Sequence, residues 1–363
     1  MIVDLFSGAG GFSLGAVQAG FDVAVAADHD PDLTSSHRHN FPRIPLLLRD
    51  LSQIGLTALL SEVNLTADQI TGVVGGPPCQ GFSNMGRRDV LDPRNSLVAR
   101  FFGMVDELRP PFFVFENVPG ILTARFRQML DDSIDPLVNH YTLLGPLVLN
   151  AADFGAATER CRVIIVGIQQ PHSPLNATTI STPATPTTVA EAFCGLPAPL
   201  TEKRSRANFG WQTIELADDL NAYALSMRRP PPCVSGSMVR QAHAERRVSG
   251  FQPTRHSSAV AERFSKVAPG SRDSVSWFPR LHPDRPAPTL RAGTGRDRGS
   301  YQSMRPIHPV APRVVTVREA ARIQGFPDWF IFHRTKWHSF RMIGNSIVPA
   351  MARAIFEYCR TQI

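Results

Sequence analysis

The sequence predicts an open α/β fold: a mostly parallel sheet flanked by helices over roughly residues 1–170, joined to a smaller, loop-rich region. Three observations carry that prediction. Short apolar, β-branched strand signals alternate with helical stretches through the first half of the chain. The first strand runs straight into a glycine-rich turn and a helix. Several strand signals end on a carboxylate or a proline turn, so polar side chains would gather at one edge of the sheet.

Met1-Ile2-Val3-Asp4-Leu5-Phe6 is the first strand, and Ser7-Gly8-Ala9-Gly10-Gly11-Phe12-Ser13-Leu14-Gly15 opens a helix that stops at Gly20. Glycines let a ligand approach the backbone and a helix N-terminus offers free N–H groups, so this unit reads as a nucleotide-type half-site. Ser13 stands at the third glycine position of G-x-G-x-x-G, and on this loop alone the nucleotide could be NAD or S-adenosylmethionine. The second strand, residues 21–27, ends at Asp28, where such folds bind ribose hydroxyls; His29 follows. Leu46-Leu47-Leu48-Arg49-Asp50 gives a third strand ending in an acid, and residues 70–75 give a fourth.

Gly75-Gly76-Pro77-Pro78-Cys79-Gln80-Gly81-Phe82-Ser83 comes next. Prolines cannot donate to a sheet ladder and resist helix formation, so the chain leaves the strand there and presents Cys79 at its carboxyl end. An isolated cysteine is more often a small buried hydrophobe. Fixed between Pro-Pro and Gln-Gly, it becomes a candidate nucleophile that needs an acid or base partner. Residues 83–92 read as a polar loop able to cover the site, and a helix then carries Leu97, Phe101, Met104, Val105 and Leu108 on one face until Pro110-Pro111. Phe112-Phe113-Val114-Phe115 is a buried strand that ends in Glu116-Asn117-Val118. A glutamate there is costly unless paired or placed at the strand end, where it would face the same crevice as Cys79. Two more strands span 141–149 and 162–168, and Arg160 and Arg162 alternate so that both can point at one anion.

Residues 171–200, rich in Pro, Thr and Ala, read as a linker. From there to 312 the pattern is weak, apart from a short helix at 259–266 and the arginine–glycine loop 291–299. Residues 316–323 read as a helix with a basic and acidic face, and Gly344-Asn345-Ser346-Ile347-Val348-Pro349 starts a final helix expected to return beside the glycine loop.

The 363 residues are 43% hydrophobic and 19% charged, with no apolar run of membrane-spanning length. Five scattered cysteines, odd in number and without a C-x-x-C pair, argue against a disulfide framework or a zinc site and suit a reducing cytoplasm. The net charge of +7 is localised: residues 171–312 hold 18 Lys and Arg against 10 Asp and Glu, and the remainder 20 against 21. A basic, proline-rich segment fits a polyanion partner, most simply nucleic acid.

Taken together, these residues resemble the bacterial type of cytosine-C5 DNA methyltransferase. Asp4-Leu5-Phe6-Ser7-Gly8-Ala9-Gly10-Gly11 is similar to that family's cofactor loop, Pro78-Cys79-Gln80 to its nucleophile turn, Glu116-Asn117-Val118 to its Glu-Asn-Val, and Arg160-Cys161-Arg162 to its Arg-x-Arg. Residues 318–327 and Gly344-Asn345-Ser346 resemble its two C-terminal motifs. Order and spacing agree along almost the whole chain except about 175–312, where family members differ with target sequence. Three positions depart from the pattern: Thr158 for a glutamine, Asp28 for a glutamate, and His29 for an aromatic residue.

The resemblance implies a Rossmann-like S-adenosylmethionine-dependent methyltransferase domain (residues 1–175 with 340–363) and a smaller, loop-rich target-recognition domain with its supporting segment (176–339). It implies catalytic roles for Cys79, Glu116, Arg160 and Arg162. Cofactor contacts would come from Phe6, Gly8, Gly10, Gly11, Asp28, His29, Asp50, Pro78, Leu97, Asn345 and Ser346. It implies a monomer on duplex DNA, with a separately encoded restriction endonuclease as a partner. An NAD-dependent oxidoreductase would use only the glycine loop and Asp28. A catalytically dead homologue should have lost Cys79 or Glu116, and a tRNA-directed relative would not need so long a basic insert.

Overall fold

The computed structural model describes residues 1–78, 96–180, 185–201, 209–215, 219–293 and 305–363. Cys79, the loop 83–92 and most of the arginine–glycine loop lie outside the described residues.

The apolar runs form a seven-stranded sheet. Its strands are β1 (Ile2–Leu5), β2 (Val23–Asp28), β3 (Leu46–Leu48), β4 (Gly72–Gly75), β5 (Phe112–Asn117), β6 (Thr142–Asn150) and, after the two-residue strand β7 (Thr158–Glu159) outside this sheet, β8 (Cys161–Ile168). The order is β3-β2-β1-β4-β5-β8-β6. The strands from β3 to β5 pair in parallel, and β8 is inserted antiparallel to both β5 and β6. All five parallel strands therefore end on one edge, which collects Phe6, Asp28, Asp50, Gly76 and Glu116.

Strand alternation sorts the core onto two faces. Phe113, Phe115, Val163 and Ile165 pack with the helices Leu56–Ser61, Ser96–Leu108 and Ala124–Ile134. Phe112, Val114, Ile164 and Val166 pack with Gly11–Gln18 and the C-terminal helix Pro349–Arg360. That last helix is docked by Phe356 edge-on to Phe12, at 6.3 Å between ring centroids, and by Arg360 Nη1 donating to Ala19 O at 2.7 Å. The same core runs on into residues 315–332. Two satellite clusters stand apart from it, one of Ile214, Val248 and Phe251 and one of Phe264, Val267, Ile307 and Val314.

The stretch 171–200 is more ordered than its composition suggests. A helix at Val189–Phe193 is capped by Thr188, whose hydroxyl accepts from Glu191 N–H while Glu191 accepts from Thr188 N–H, and Val189 and Ala192 are buried. The helix Val317–Ile323 also differs from its reading, because all seven of its residues are buried. Arg318 donates to the carbonyls of Ser249, Pro327 and Phe330. Arg322 forms a two-pronged pair with Asp328, at 2.7 and 2.6 Å, and donates to the carbonyls of Ala192 and Cys194. Its charges are inside because backbone carbonyls and one carboxylate satisfy them.

Candidate active site

The glycine loop closes around two acids. Fully buried Asp4 accepts from Ser13 N–H at 3.0 Å and Ser13 Oγ at 2.6 Å, which fixes the first turn of the helix Gly11–Gln18. Burial pushes its carboxyl up to about 7 against the pull of those bonds, and the nearby Asp28 charge adds to the rise. Asp28 uses one oxygen to accept from Gly8 N–H and the other to accept from Asp30 N–H, both at 2.9 Å. Gly8 has a φ of +51°, and a Cβ there would meet nothing within 4 Å. The loop thus faces open space with a backbone that favours glycine. Phe6, at φ +55°, turns the chain out of β1.

His29 Nδ1 lies 3.4 Å from Asp28 Oδ1 with its ring largely exposed, and the Asp28 carboxylate raises the imidazole above its ordinary value. Asp50 is exposed beyond β3, accepts from Ser52 N–H and is held below the usual carboxylate range by hydrogen bonding from the Ser52 side chain and then its backbone. Leu97 is half-buried in the first turn of Ser96–Leu108. Asn345 is exposed, whereas Ser346 is buried, with its carbonyl accepting from Gln324 Nε2 at 2.9 Å.

Glu116 is the last residue but one of β5, with only a small fraction of its side chain exposed, and Arg162 Nε on β8 reaches its Oε1 at 2.7 Å. A Cβ at Gly76 would stand 2.7 Å from Glu116 Oε2, so only glycine lets the carboxylate lie against the turn. Asn117 Nδ2 donates to Pro77 O at 3.3 Å. The chain that leads into Pro78 and Cys79 is therefore anchored to the residue next to the acid. Arg160 is fully buried, and among its contacts it donates to Leu290 O at 3.3 Å and Gly344 O at 2.9 Å. Those bonds tie the entry to β8 to the residue before the arginine–glycine loop and to the segment carrying Asn345. Thr158 is buried, its hydroxyl without a hydrogen-bond partner among the described residues.

A family model described as C-5 cytosine-specific DNA methylase matches residues 1–361. The chain belongs to that family. It is a DNA cytosine-C5 methyltransferase. It is 39% identical to the type II methyltransferase M.XorII of Xanthomonas oryzae pv. oryzae, over 97% of this chain and 82% of that protein. It is 32% identical to M.DdeI of Desulfomicrobium norvegicum, over 98% of this chain and 87% of that protein. Among solved structures, a protein described as a DNA modification methyltransferase encoded within an E. coli prophage superposes with a TM-score of 0.85 at 36% identity, over 98% of this chain and 97% of that one. The Dnmt2 methyltransferase of S. pombe, at 12% identity and a TM-score of 0.60, shares the fold.

Two residues of this methyltransferase's site went unremarked in the sequence. In the sequence Gly76 stands only as part of the turn, and Asn117 only as part of the Glu-Asn-Val match. The signal for both was adjacency, since each flanks a residue singled out for chemistry.

Proposed function

We propose that this methyltransferase moves a methyl group from S-adenosylmethionine to C5 of a cytosine flipped out of a specific duplex DNA sequence, through a bond between Cys79 Sγ and ring C6. The observation that carries this reading is the Glu116–Arg162 pair set against Gly76 and Pro77, at the strand edge from which the chain runs into Cys79.

The loop has room for the cofactor: Gly8 faces open space, and Ser7 Oγ is buried without a hydrogen-bond partner among the described residues. Phe6, Gly8, Gly10 and Gly11 would cradle it. Asp28 would take the ribose hydroxyls and His29 the adenine face, with Asp50, Pro78, Leu97, Asn345 and Ser346 lining the rest. When bound, it supplies an electrophilic methyl group.

Cytosine C5 is a poor nucleophile unaided. Addition of the Cys79 thiolate to C6 makes the ring an enamine, which divides one hard step into two easier ones. Glu116 shares a proton with ring N3 as charge builds there, and Arg162 holds the ring's O2 while keeping Glu116 in place. After transfer the C5 proton leaves to water and the thiolate is expelled. The target carbon is out of reach inside a duplex, so the base must leave the stack. The basic segment 176–312 grips the groove. The type II names of the relatives support a separately encoded endonuclease as partner, and the chemistry suits a cytoplasmic monomer on DNA. No helix among the described residues is long and apolar enough to cross a membrane.

The test is incubation with labelled S-adenosylmethionine, plasmid DNA and tRNA together. Label is expected in the plasmid as 5-methylcytosine. Label confined to tRNA would overturn the reading.

A further inference from the structure

Residues 271–279 form a loop that is tightly bonded within and apolar without. Asp273 is fully buried, and its carboxylate accepts from Arg263 Nε at 2.8 Å, Ser276 N–H at 2.6 Å and Ser276 Oγ at 2.7 Å. Trp277 N–H donates to Asp273 O, and Asp273 N–H to Phe278 O, both at 3.0 Å. Arg280 closes the base by donating to the carbonyls of Phe264, Ser265, Val267, Pro309 and Val310. Phe278 packs on the satellite cluster of Phe264, Val267, Ile307 and Val314. Yet Trp277 is 69% exposed and Val275 65%. Trp277 also sits at φ +59°, a left-handed conformation that is strained for a bulky side chain. A loop bonded to hold a tryptophan out in water points to a partner that covers it.

Charge and position say which partner. The loop's one carboxylate, Asp273, is buried and paired, and what it exposes besides the apolar groups is Arg272 and the hydroxyls of Ser271 and Ser274. That surface offers nothing to repel a polyanion. From Arg280 the chain runs to Ala287–Pro288, which pair in parallel with β7, and Leu290 O accepts from Arg160. Ten residues lie between Pro279 and Leu290, so the loop stands at most about 40 Å of chain from the carbonyl that Arg160 holds. Through Leu290 and Arg160 it is tethered to the strand that carries Arg162.

We propose that residues 271–279 are a preformed DNA-contacting finger, in which the face of Trp277 packs on the sugars and base edges of the bound duplex and Arg272 takes a phosphate. A loop already rigid loses little freedom on binding. This inference rests on the DNA methylation proposed above.

The test uses the full chain. Plasmid methylation by wild type is mapped by bisulfite sequencing, and a duplex oligonucleotide carrying a mapped site becomes the probe. A wild type that fails to methylate DNA would refute the proposed function and not the finger. Given methylation, Trp277→Ala should raise KM for the duplex about tenfold or more, with the rate at saturating duplex and the S-adenosylmethionine thermal shift near wild type. Trp277→Phe, which keeps a π face, should recover most of the loss. Adding the duplex should quench wild-type tryptophan fluorescence by an increment that Trp277→Phe lacks, a readout that stands even if Trp277→Ala folds poorly. A KM within twofold of wild type in Trp277→Ala, or the same quenching in Trp277→Phe, would overturn the proposal and leave the exposed face to a protein partner.

Discussion

Arg162 Nε stands 2.7 Å from Glu116 Oε1, and this pair joins β5 to the antiparallel strand β8 at the rim of the crevice. In the ladder Glu116 is opposite Ile164, two residues and one pleat from Arg162, so the contact is a same-face diagonal. Both side chains are nearly out of water, which makes each the other's main support. Glu116→Gln should keep duplex binding, set mainly by phosphate contacts, while slowing methyl transfer by about 10²–10⁴-fold. Arg162→Ala should in addition destabilise the fold by about 3–5 kcal/mol, because it strands a carboxylate. Single-turnover methylation and denaturant unfolding separate the two effects.

Asp28 has a structural duty beside its proposed ribose contact, since it accepts from both Gly8 and Asp30 N–H. S-adenosylmethionine at a hundredfold excess over its Kd should stabilise wild type by about 2.7 kcal/mol, and NAD should give no shift. Asp28→Ala should lose most of that stabilisation and Asp28→Asn less, because the amide oxygen can still accept from Gly8. Thermal unfolding with each ligand checks this. Equal stabilisation by NAD would contradict the cofactor assignment.

Asp4 predicts a pH dependence of stability. Its folded value, about 7, lies above its ordinary 3.8, so between those values the folded chain holds a proton that the unfolded chain has lost. Stability from this group is full below about pH 4, falls as pH rises, and levels off above about 7. The total fall is on the order of 4 kcal/mol. Wild type minus Asp4→Asn, measured by denaturant unfolding from pH 4 to 8, should show that slope. A flat difference would mean the carboxyl is ionised throughout.

Much of this was legible in the sequence. Continuous apolar runs such as Phe112-Phe113-Val114-Phe115 gave the strands, and the strand-end positions of Asp28 and Glu116 followed from them. Arg160 was legible as a residue but not in its contacts, because its carbonyl acceptors are 130 and 184 residues away. In the sequence Arg318 and Arg322 belong to a helix with a basic and acidic face, and periodicity cannot show that backbone carbonyls from distant loops will satisfy them inside. The helix Val189–Phe193 was hidden by a composition rich in Pro and Thr, although Thr188 and Glu191 carry the spacing of a capping box.

Those buried contacts set terms for a specificity exchange. Replacing residues 176–312 with a relative's segment should change which sequence is methylated. It should succeed only where the donor keeps carbonyls for Arg322 near 192–194, for Arg318 near 249 and for Arg160 near 290. Chimaeras that break these anchors should express poorly. Bisulfite sequencing of plasmid from each chimaera reads the outcome, and unchanged specificity in a well-folded chimaera would place base reading elsewhere.

Covalent trapping reads the proposed bond between Cys79 and the target ring directly. With S-adenosylmethionine and a duplex carrying 5-fluorocytosine at a mapped site, wild type should form an adduct that survives denaturation, because fluorine cannot leave as a cation after methyl transfer. Cys79→Ser should form none, since a serine hydroxyl is un-ionised at neutral pH. The strongest competing thiol is Cys161, which is exposed and whose carbonyl accepts from Arg162 Nη1; Cys359 is buried and its thiol pushed up by burial. Peptide mapping of the adduct should find the modified base on Cys79. An adduct on Cys161, or one that persists in Cys79→Ser, would contradict the account.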